Sequence, residues 1–325
     1  MSRNMTNKCM YFLVRNYKLT CGFGANDTSG ATSLSMNAWS HVACVYSFET
    51  QTLQAYLNGI LNGSRSLFSF QGSSGDTTIG VTYAIPPGSN YFDGYLALMQ
   101  FVSSAKTPSD ILRDATLMAY YSFDTSLTTD NSLNGINTTT IGSPSLVPGR
   151  VNQAIQVNPS ASVYTSYTSF LLLGVSNQPH TYSLWIKPTG SYALPTILFV
   201  IAQTGWCASI IMTTASGHIV LHSYSGALIS VSDPIIPLNT WTHVGATYCP
   251  SSGFRLYING TFYATSGAFS YVAAGTSLYL FIGGDGGYAF LSAPGCSAGF
   301  TGSVDELFMY SRELTASEIL VAANP

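Results

Sequence analysis

The chain has 325 residues, of which 46% are hydrophobic and only 8% charged, with a net charge of −3. That charge excludes electrostatic capture of nucleic acid, and no run of Lys or Arg marks a membrane-surface or phosphate-binding patch. The charged share lies far below the roughly 25% of ordinary soluble domains, so the polar surface must come from Ser, Thr, Asn, Gln, Tyr and backbone.

The length suggests about two domains. At the N-terminus the apolar run Cys9–Val14 is shorter than the core of about 7–15 residues that a signal peptide needs. Later runs such as "ILFVIA" from Ile197 fall well short of the ~20 residues of a membrane helix. The segment is therefore read as carrying neither an export signal nor an anchor. "NAWSHVACVY" from Asn37 predicts a strand, and "LQAYLNG" from Leu53 predicts a second that ends in Asn58-Gly59. Asn-Gly tolerates the positive φ angles of a tight hairpin turn. "TPSDILRDA" from Thr107 opens with a capping hydroxyl and has an acid three residues on, which predicts a short helix.

From Met118 the pattern is again strand-like. "YSLWIKP" alternates Tyr182, Leu184 and Ile186 with Ser183, Trp185 and Lys187. "HIVLHSY" from His218 and "SLYLFIG" from Ser277 are rich in β-branched and aromatic residues between turn residues. "NTWTHVGATY" from Asn239 repeats the phrase at Asn37 with identical Asn, Trp, His, Val and Tyr, 202 residues later. "FRLYING" from Phe254 repeats "LQAYLNG", again ending in Asn-Gly. "FTGSVDELFMYSRELTASEIL" from Phe300 repeats "FDGYLALMQFVSSAKTPSDIL" from Phe92, including the short helix. This is an internal repeat of half a domain or more. Copy two is expected to occupy 116–325. Copy one, 1–115, matches only from about Trp206 of copy two onward and is expected to be incomplete. An open sheet with bare edges aggregates, so Met1 is not expected to be the natural start.

The ordered set "YYSFDTS", "SPSLVPGRVNQAIQV", "TYSLWIKPT", "NTWTHVGATY", "FRLYINGTF", "LFIGG" and "FTGSVDELFMYSRELTASEI" resembles the laminin G-like domains of the concanavalin A-like lectin/glucanase superfamily. The resemblance spans copy two and the second half of copy one. It implies an all-β fold, a jelly-roll sandwich of two antiparallel sheets in tandem, which fits the hairpins read from the residues. It also implies that Trp39 and Trp241 pack the core beside the Asn-Gly hairpin.

Glucan hydrolases of that superfamily carry Glu-x-Asp-x-x-Glu on a strand, whose alternation brings carboxylates to one face. The sequence has no such motif. Its nearest acidic pair, Asp305-Glu306, is expected to point to opposite faces. His218 and His222, four apart in a strand, stand about 13 Å apart, too far to share one zinc ion. Laminin G-like relatives often hold Ca2+ through hard oxygen donors. The candidates here are Asp124, Asp130, Asn131, Asp285 and Asp305, and each equally suits a turn hydrogen bond. "FIGGDGGYAF" and "GANDTSG" lack the Gly-Lys-Ser/Thr of a phosphate loop.

The 21 Tyr and 17 Phe permit sugar stacking, and loop position singles out Trp206, Tyr288 and Phe290. Of the six cysteines, none forms a Cys-x-x-Cys, so disulfides and buried thiols both remain open. Five Asn-x-Ser/Thr sequons add to the expectation of an extracellular location. The expected function is a non-enzymatic recognition module that binds glycans or extracellular glycoproteins, through rim loops or the concave sheet. The alternatives are an adhesion or spacer repeat without a small ligand, and a degenerate glycoside hydrolase-like protein.

Overall fold

The structure, a computed structural model, describes residues 10–23, 26–66, 69–72, 77–81, 91–166, 172–192, 196–284 and 299–325. The chain divides into two compact units, Met1–Thr116 and Leu117–Pro325. In the first unit β1 (Met10–Arg15), β2 (Lys18–Phe23) and β3 (Asn26–Ser33) form one antiparallel sheet. β4 (Val42–Ser47), β5 (Thr52–Leu57) and β6 (Ile60–Ser66) form a second, and α1 (Pro108–Thr116) closes the unit. Strand alternation puts Leu19, Cys21 and Phe23 of β2 on one face, where they bury against Leu53 and Ala55 of β5.

The second unit contains β7 (Leu117–Tyr121), β8 (Thr138–Ile141), β9 (Ser145–Pro148), β10 (Gln153–Val157), β11 (Ser162–Thr165), β12 (His180–Pro188), β13 (Thr196–Ile201), β14 (Cys207–Thr213), β15 (His218–Tyr224) and β16 (Leu228–Ile235). It continues with β17 (Thr242–Cys249), β18 (Gly253–Ile258), β19 (Thr261–Thr265), β20 (Tyr279–Ile282), β21 (Gly302–Tyr310) and α2 (Ala316–Ala322). An eight-stranded antiparallel sheet runs β19-β18-β17-β12-β21-β10-β9, with β7 also on β21. A seven-stranded sheet runs β16-β15-β14-β13-β20-β11-β8. The inward residues of both sheets make one core, for example Tyr182, Leu184 and Ile186 of β12 with Leu221 of β15 and Leu280 of β20. This is a jelly-roll β-sandwich, and its strands alternate as the sequence patterns predict.

The doubled phrases perform the same backbone work in each unit. His41 N donates to Asn58 Oδ1 at 2.9 Å and Asn58 N donates back to His41 O at 2.7 Å. His243 and Asn259 repeat the exchange at 3.0 and 2.9 Å. Both Asn-Gly pairs have positive φ at both residues, as a type I′ turn demands. A Cβ on Gly59 would meet Leu112 of α1 at 2.8 Å, and one on Gly260 would meet Leu320 of α2 at the same distance. The turn therefore packs directly under the closing helix in both copies. Thr315 caps α2 in a reciprocal box with Glu318, and Thr107 accepts from Asp110 N at 3.2 Å ahead of α1. Finally, Tyr46 Oη accepts from Phe70 N at 3.1 Å, and Tyr248 Oη from Tyr271 N at 2.9 Å.

The tryptophans of those phrases do not pack the core, against the expectation stated above. Val244, Ala246 and Tyr248 face inward on β17, so Trp241, which precedes the strand on the opposite parity, falls outside. There Lys187 of β12 lies over its ring at 6.0 Å. In the first unit β4 pairs with β5 alone, and the described residues include no counterpart of β12. Trp39 consequently stands 72% exposed.

Candidate functional site

On the outer face of the eight-stranded sheet, two stretches far apart in sequence meet at Asp305 of β21. Its Oδ2 accepts from Arg150 N at 2.8 Å and Val151 N at 3.0 Å, and its Oδ1 accepts from Glu306 N at 2.9 Å. Gly149 leaves room for this cradle, because a Cβ there would stand 2.6 Å from Asp305 Oδ2. The Arg150 guanidinium lies 4.6 Å from the Trp185 ring centroid. Glu306 accepts from Tyr120 Oη through both oxygens, at 3.1 and 2.9 Å.

Asp305 and Glu306 do not point to opposite faces, and that expectation is corrected. Val304 and Leu307 both lie in the core, and strict alternation cannot place residues three apart on one face. The β12–β21 register shifts between Ser183 and Trp185, and Glu306 has φ +49. A bulge of this kind turns two successive side chains outward.

Burial pushes the Asp305 carboxyl up to about 6, against the pull of its three N–H donors, with Asp124 adding to the rise. Burial likewise pushes Glu306 up to about 7; the Tyr120 hydroxyl opposes this, and Asp305 and Asp124 reinforce it. The folded protein thus holds its protons more tightly than the unfolded chain, whose carboxyls titrate near the ordinary values of 3.8 and 4.5. Stability is full below that range and falls as pH rises through about 4 to 7. Glu306→Gln keeps an acceptor for Tyr120 and removes the charge. The Tyr120 hydroxyl already offsets part of the burial cost of that charge, so the melting midpoint at pH 8 is expected to rise by about 2–4 °C, with little change at pH 5. Thermal melts across that range check this; identical midpoints for wild type and variant at pH 8 would count against it.

The oxygen donors considered for a cation have other work in the structure. Asp130 Oδ1 accepts from Tyr120 N and Ser132 N, and its Oδ2 from Ile136 N and the Ser132 hydroxyl. Asn131 Oδ1 accepts from Ser122 N and Oγ. Asp124 Oδ1 faces Gln153 N at 3.4 Å. Asp124 and Asp305 are brought into electrostatic contact. Among the described residues no three His, Cys, Asp or Glu side chains group as a metal site, and a shell of six to eight oxygens would need backbone carbonyls as well. Asp285 lies outside the described residues, as do Tyr288 and Phe290.

A serine–histidine pair is also present. Ser183 Oγ and His243 Nε2 are 2.8 Å apart. Burial holds the imidazole down at about 4, its Nδ1 has no partner among the described residues, and Ser183 is buried. A nucleophile–base pair needs a third group to orient the base and a path for substrate; among the described residues no group meets His243 Nδ1. His218 and His222 lie on β15.

The outer face of the seven-stranded sheet carries a row of aromatic rings. Tyr164 of β11 stacks on Phe281 of β20 at 5.2 Å, and Phe281 stacks on Phe199 of β13 at 4.7 Å. Tyr279 adjoins Tyr164 and Phe281 at 6.3 and 6.2 Å. Phe199, Ile201 and Phe281 are buried, while Tyr164 and Tyr279 are half-buried at the margin, together with Ile141 and Cys207. The sequence does contain a signal for this row: in "SLYLFIG" both parities are apolar, so both faces of β20 have packing to do. Trp206, at the turn into β14, is half-buried against the main core, with its ring edge on Tyr271 at 6.1 Å.

Two antiparallel sheets around one core, crossed by distant chain segments, define the class as a jelly-roll sandwich of the lectin type. The chain belongs to the concanavalin A-like lectin/glucanases superfamily, whose Laminin_G_3 family profile matches residues 7–112 and 158–320. Comparison with curated proteins finds no match. Among solved structures, the chain is similar to one of botulinum neurotoxin type C, whose cell entry depends on interaction with two ganglioside molecules. The identity is 16% and the TM-score 0.50, over 65% of this chain and 51% of that one. It is also similar to the binding domain of Paraclostridial Mosquitocidal Protein 1, at 19% identity and TM-score 0.49 over 65% and 52%. A third is domain 4 of AbnA, a GH43 extracellular arabinanase of Geobacillus stearothermophilus, in complex with arabinotriose. There the identity is 22% and the TM-score 0.46, over 64% of this chain and 98% of that one. The matched part thus spans about half the length of the two toxin structures.

Proposed function

We propose that the protein is a non-enzymatic, extracellular recognition module whose second unit binds glycans or glycoproteins on the outer face of the seven-stranded sheet. The observation that carries this reading is the aromatic row, whose margin residues Tyr164 and Tyr279 are only partly buried. An amphipathic ring with a hydroxyl at its tip suits a sugar, whose apolar C–H face stacks while its hydroxyls hydrogen-bond. The state of the polar groups supports a lack of catalysis. Asp305 and Glu306 are buried and accept hydrogen bonds from the chain itself, so neither carboxyl is presented to a glycosidic bond.

A glycan array probed with the full chain tests the proposal, with binding of a defined set of sugars as the expected result. Tyr164→Ala and Tyr279→Ala are each expected to weaken that binding about tenfold, the value of one stacking contact. Circular dichroism confirms the fold of each variant. A silent array would favour the spacer reading, and release of reducing sugar from mixed glucans would favour an enzyme.

A further inference from the structure

The first unit contains a second chemical feature that the recognition reading does not use. Cys21 of β2 is fully buried, and Cys44 of β4 packs against the same cluster from the opposite sheet. Both thiols are free and share one packed cluster, and the nearness of Cys44, followed by burial, drives the Cys21 thiol far above the ordinary thiol range. Around them Phe23, Tyr46 and Phe70 form a tight aromatic collar, with Phe23 stacked on Phe70 at 4.6 Å and edge-on to Tyr46 at 5.0 Å.

The second unit shows what these positions hold otherwise. Leu34 N donates to Tyr17 O as Ile236 N does to Gly217 O, which sets Cys21 level with Leu221; the doubled phrase sets Cys44 level with Ala246. Leu221 and Ala246 are both buried in the main core. Two apolar core positions of the second unit are therefore held by a pair of thiols in the first, the unit with the smaller core. Among the described residues only Leu19, Cys21, Phe23, Leu53 and Ala55 form its central cluster. Small cores gain most from a covalent staple. The chain also carries a disulfide elsewhere, at Cys207.

We propose that Cys21 and Cys44 are the two halves of an intersheet disulfide that closes the first unit when a low-molecular-weight disulfide is available as oxidant. Cys44, the more exposed of the two, loses its proton and attacks the oxidant, expelling one thiol and leaving a mixed disulfide. Cys21 then attacks the Cys44 sulfur and expels the second thiol. One S–S bond forms in the protein, one breaks in the oxidant, and the oxidant leaves as two thiols. Closure brings the two sulfurs to about 2.05 Å.

The test uses the full chain, equilibrated with reduced and oxidised glutathione, then alkylated in denaturant, digested and weighed. The expected product under oxidising conditions is a linked peptide pair containing Cys21 and Cys44, about 2 Da lighter than the dithiol. Alkylation of both residues under those conditions, or pairing of Cys21 with another cysteine, overturns the proposal. A second measurement does not depend on recovering that peptide. Amide exchange in Leu19–Phe23 is expected to slow about a hundredfold on oxidation, the scale for closing a loop of this length. The double variant Cys21→Leu/Cys44→Ala installs the second unit's own pair and is expected to show no redox response. Equal exchange in oxidised and reduced wild type overturns the proposal as well.

Discussion

Asp305→Ala is expected to destabilise the second unit by about 3 kcal/mol at pH 8. The side chain satisfies three backbone N–H groups, those of Arg150, Val151 and Glu306, and alanine leaves all three without an acceptor. Each buried orphan donor costs about 1–3 kcal/mol. Against this stands the release of a carboxylate that burial already disfavours, with its pKa pushed up to about 6. The donors prevail because their loss is threefold, while the charge is partly compensated in place. Asp305→Asn retains an acceptor oxygen but turns an NH2 toward one of the donors, so a cost of about 1–2 kcal/mol is expected. Urea denaturation at pH 8 measures both variants. An alanine variant within about 0.5 kcal/mol of wild type, the ordinary effect of a surface change, would show that the 149–151 turn holds itself. Hydrogen exchange adds a local check: the amides of Arg150 and Val151 should lose protection first.

The second large effect is expected at Tyr248. Its ring contacts His180 at 5.1 Å, Phe254 at 5.7 Å and Phe269 at 4.9 Å, and its hydroxyl donates to Phe269 O at 3.0 Å while accepting from Tyr271 N. One side chain thereby pins the segment between β19 and β20 to the core. Tyr248→Phe keeps the ring and leaves one carbonyl and one N–H unmet, at an expected cost of about 1–3 kcal/mol. Tyr248→Ala also opens a cavity and is expected to cost about 3–5 kcal/mol. Denaturant midpoints measure the pair, and equal losses for Phe and Ala would assign the effect to the hydroxyl alone. Tyr46 makes the matching bond to Phe70 N in the first unit, so Tyr46→Phe should release protection at Phe70.

Strand alternation, the two Asn-Gly turns and the helix caps at Thr107 and Thr315 could all be read from the residues. Each follows from rules that operate within a few positions: side-chain parity along a strand, positive φ at Asn-Gly, and a hydroxyl aimed at an N–H three residues on. The internal repeat could be read for the same reason, since similar local patterns recur in order. The ordered phrases were also enough to place the chain in its superfamily.

Other features depended on which strands become neighbours. Trp39 and Trp241 read as core because they adjoin strong strands, yet Trp241 is covered from outside by Lys187 of β12, and among the described residues Trp39 has no such strand beside it. The bulge that brings Asp305 and Glu306 to one face is an extra residue of β21 set against β12. Arg150 and Asp305 are separated by 155 residues, and Cys21 and Cys44 lie on opposite sheets. Local sequence specifies what each strand presents on its two faces; partner, register and the layer opposite are set by closure of the whole sandwich, because only there do distant side chains compete for the same space and the same hydrogen bonds.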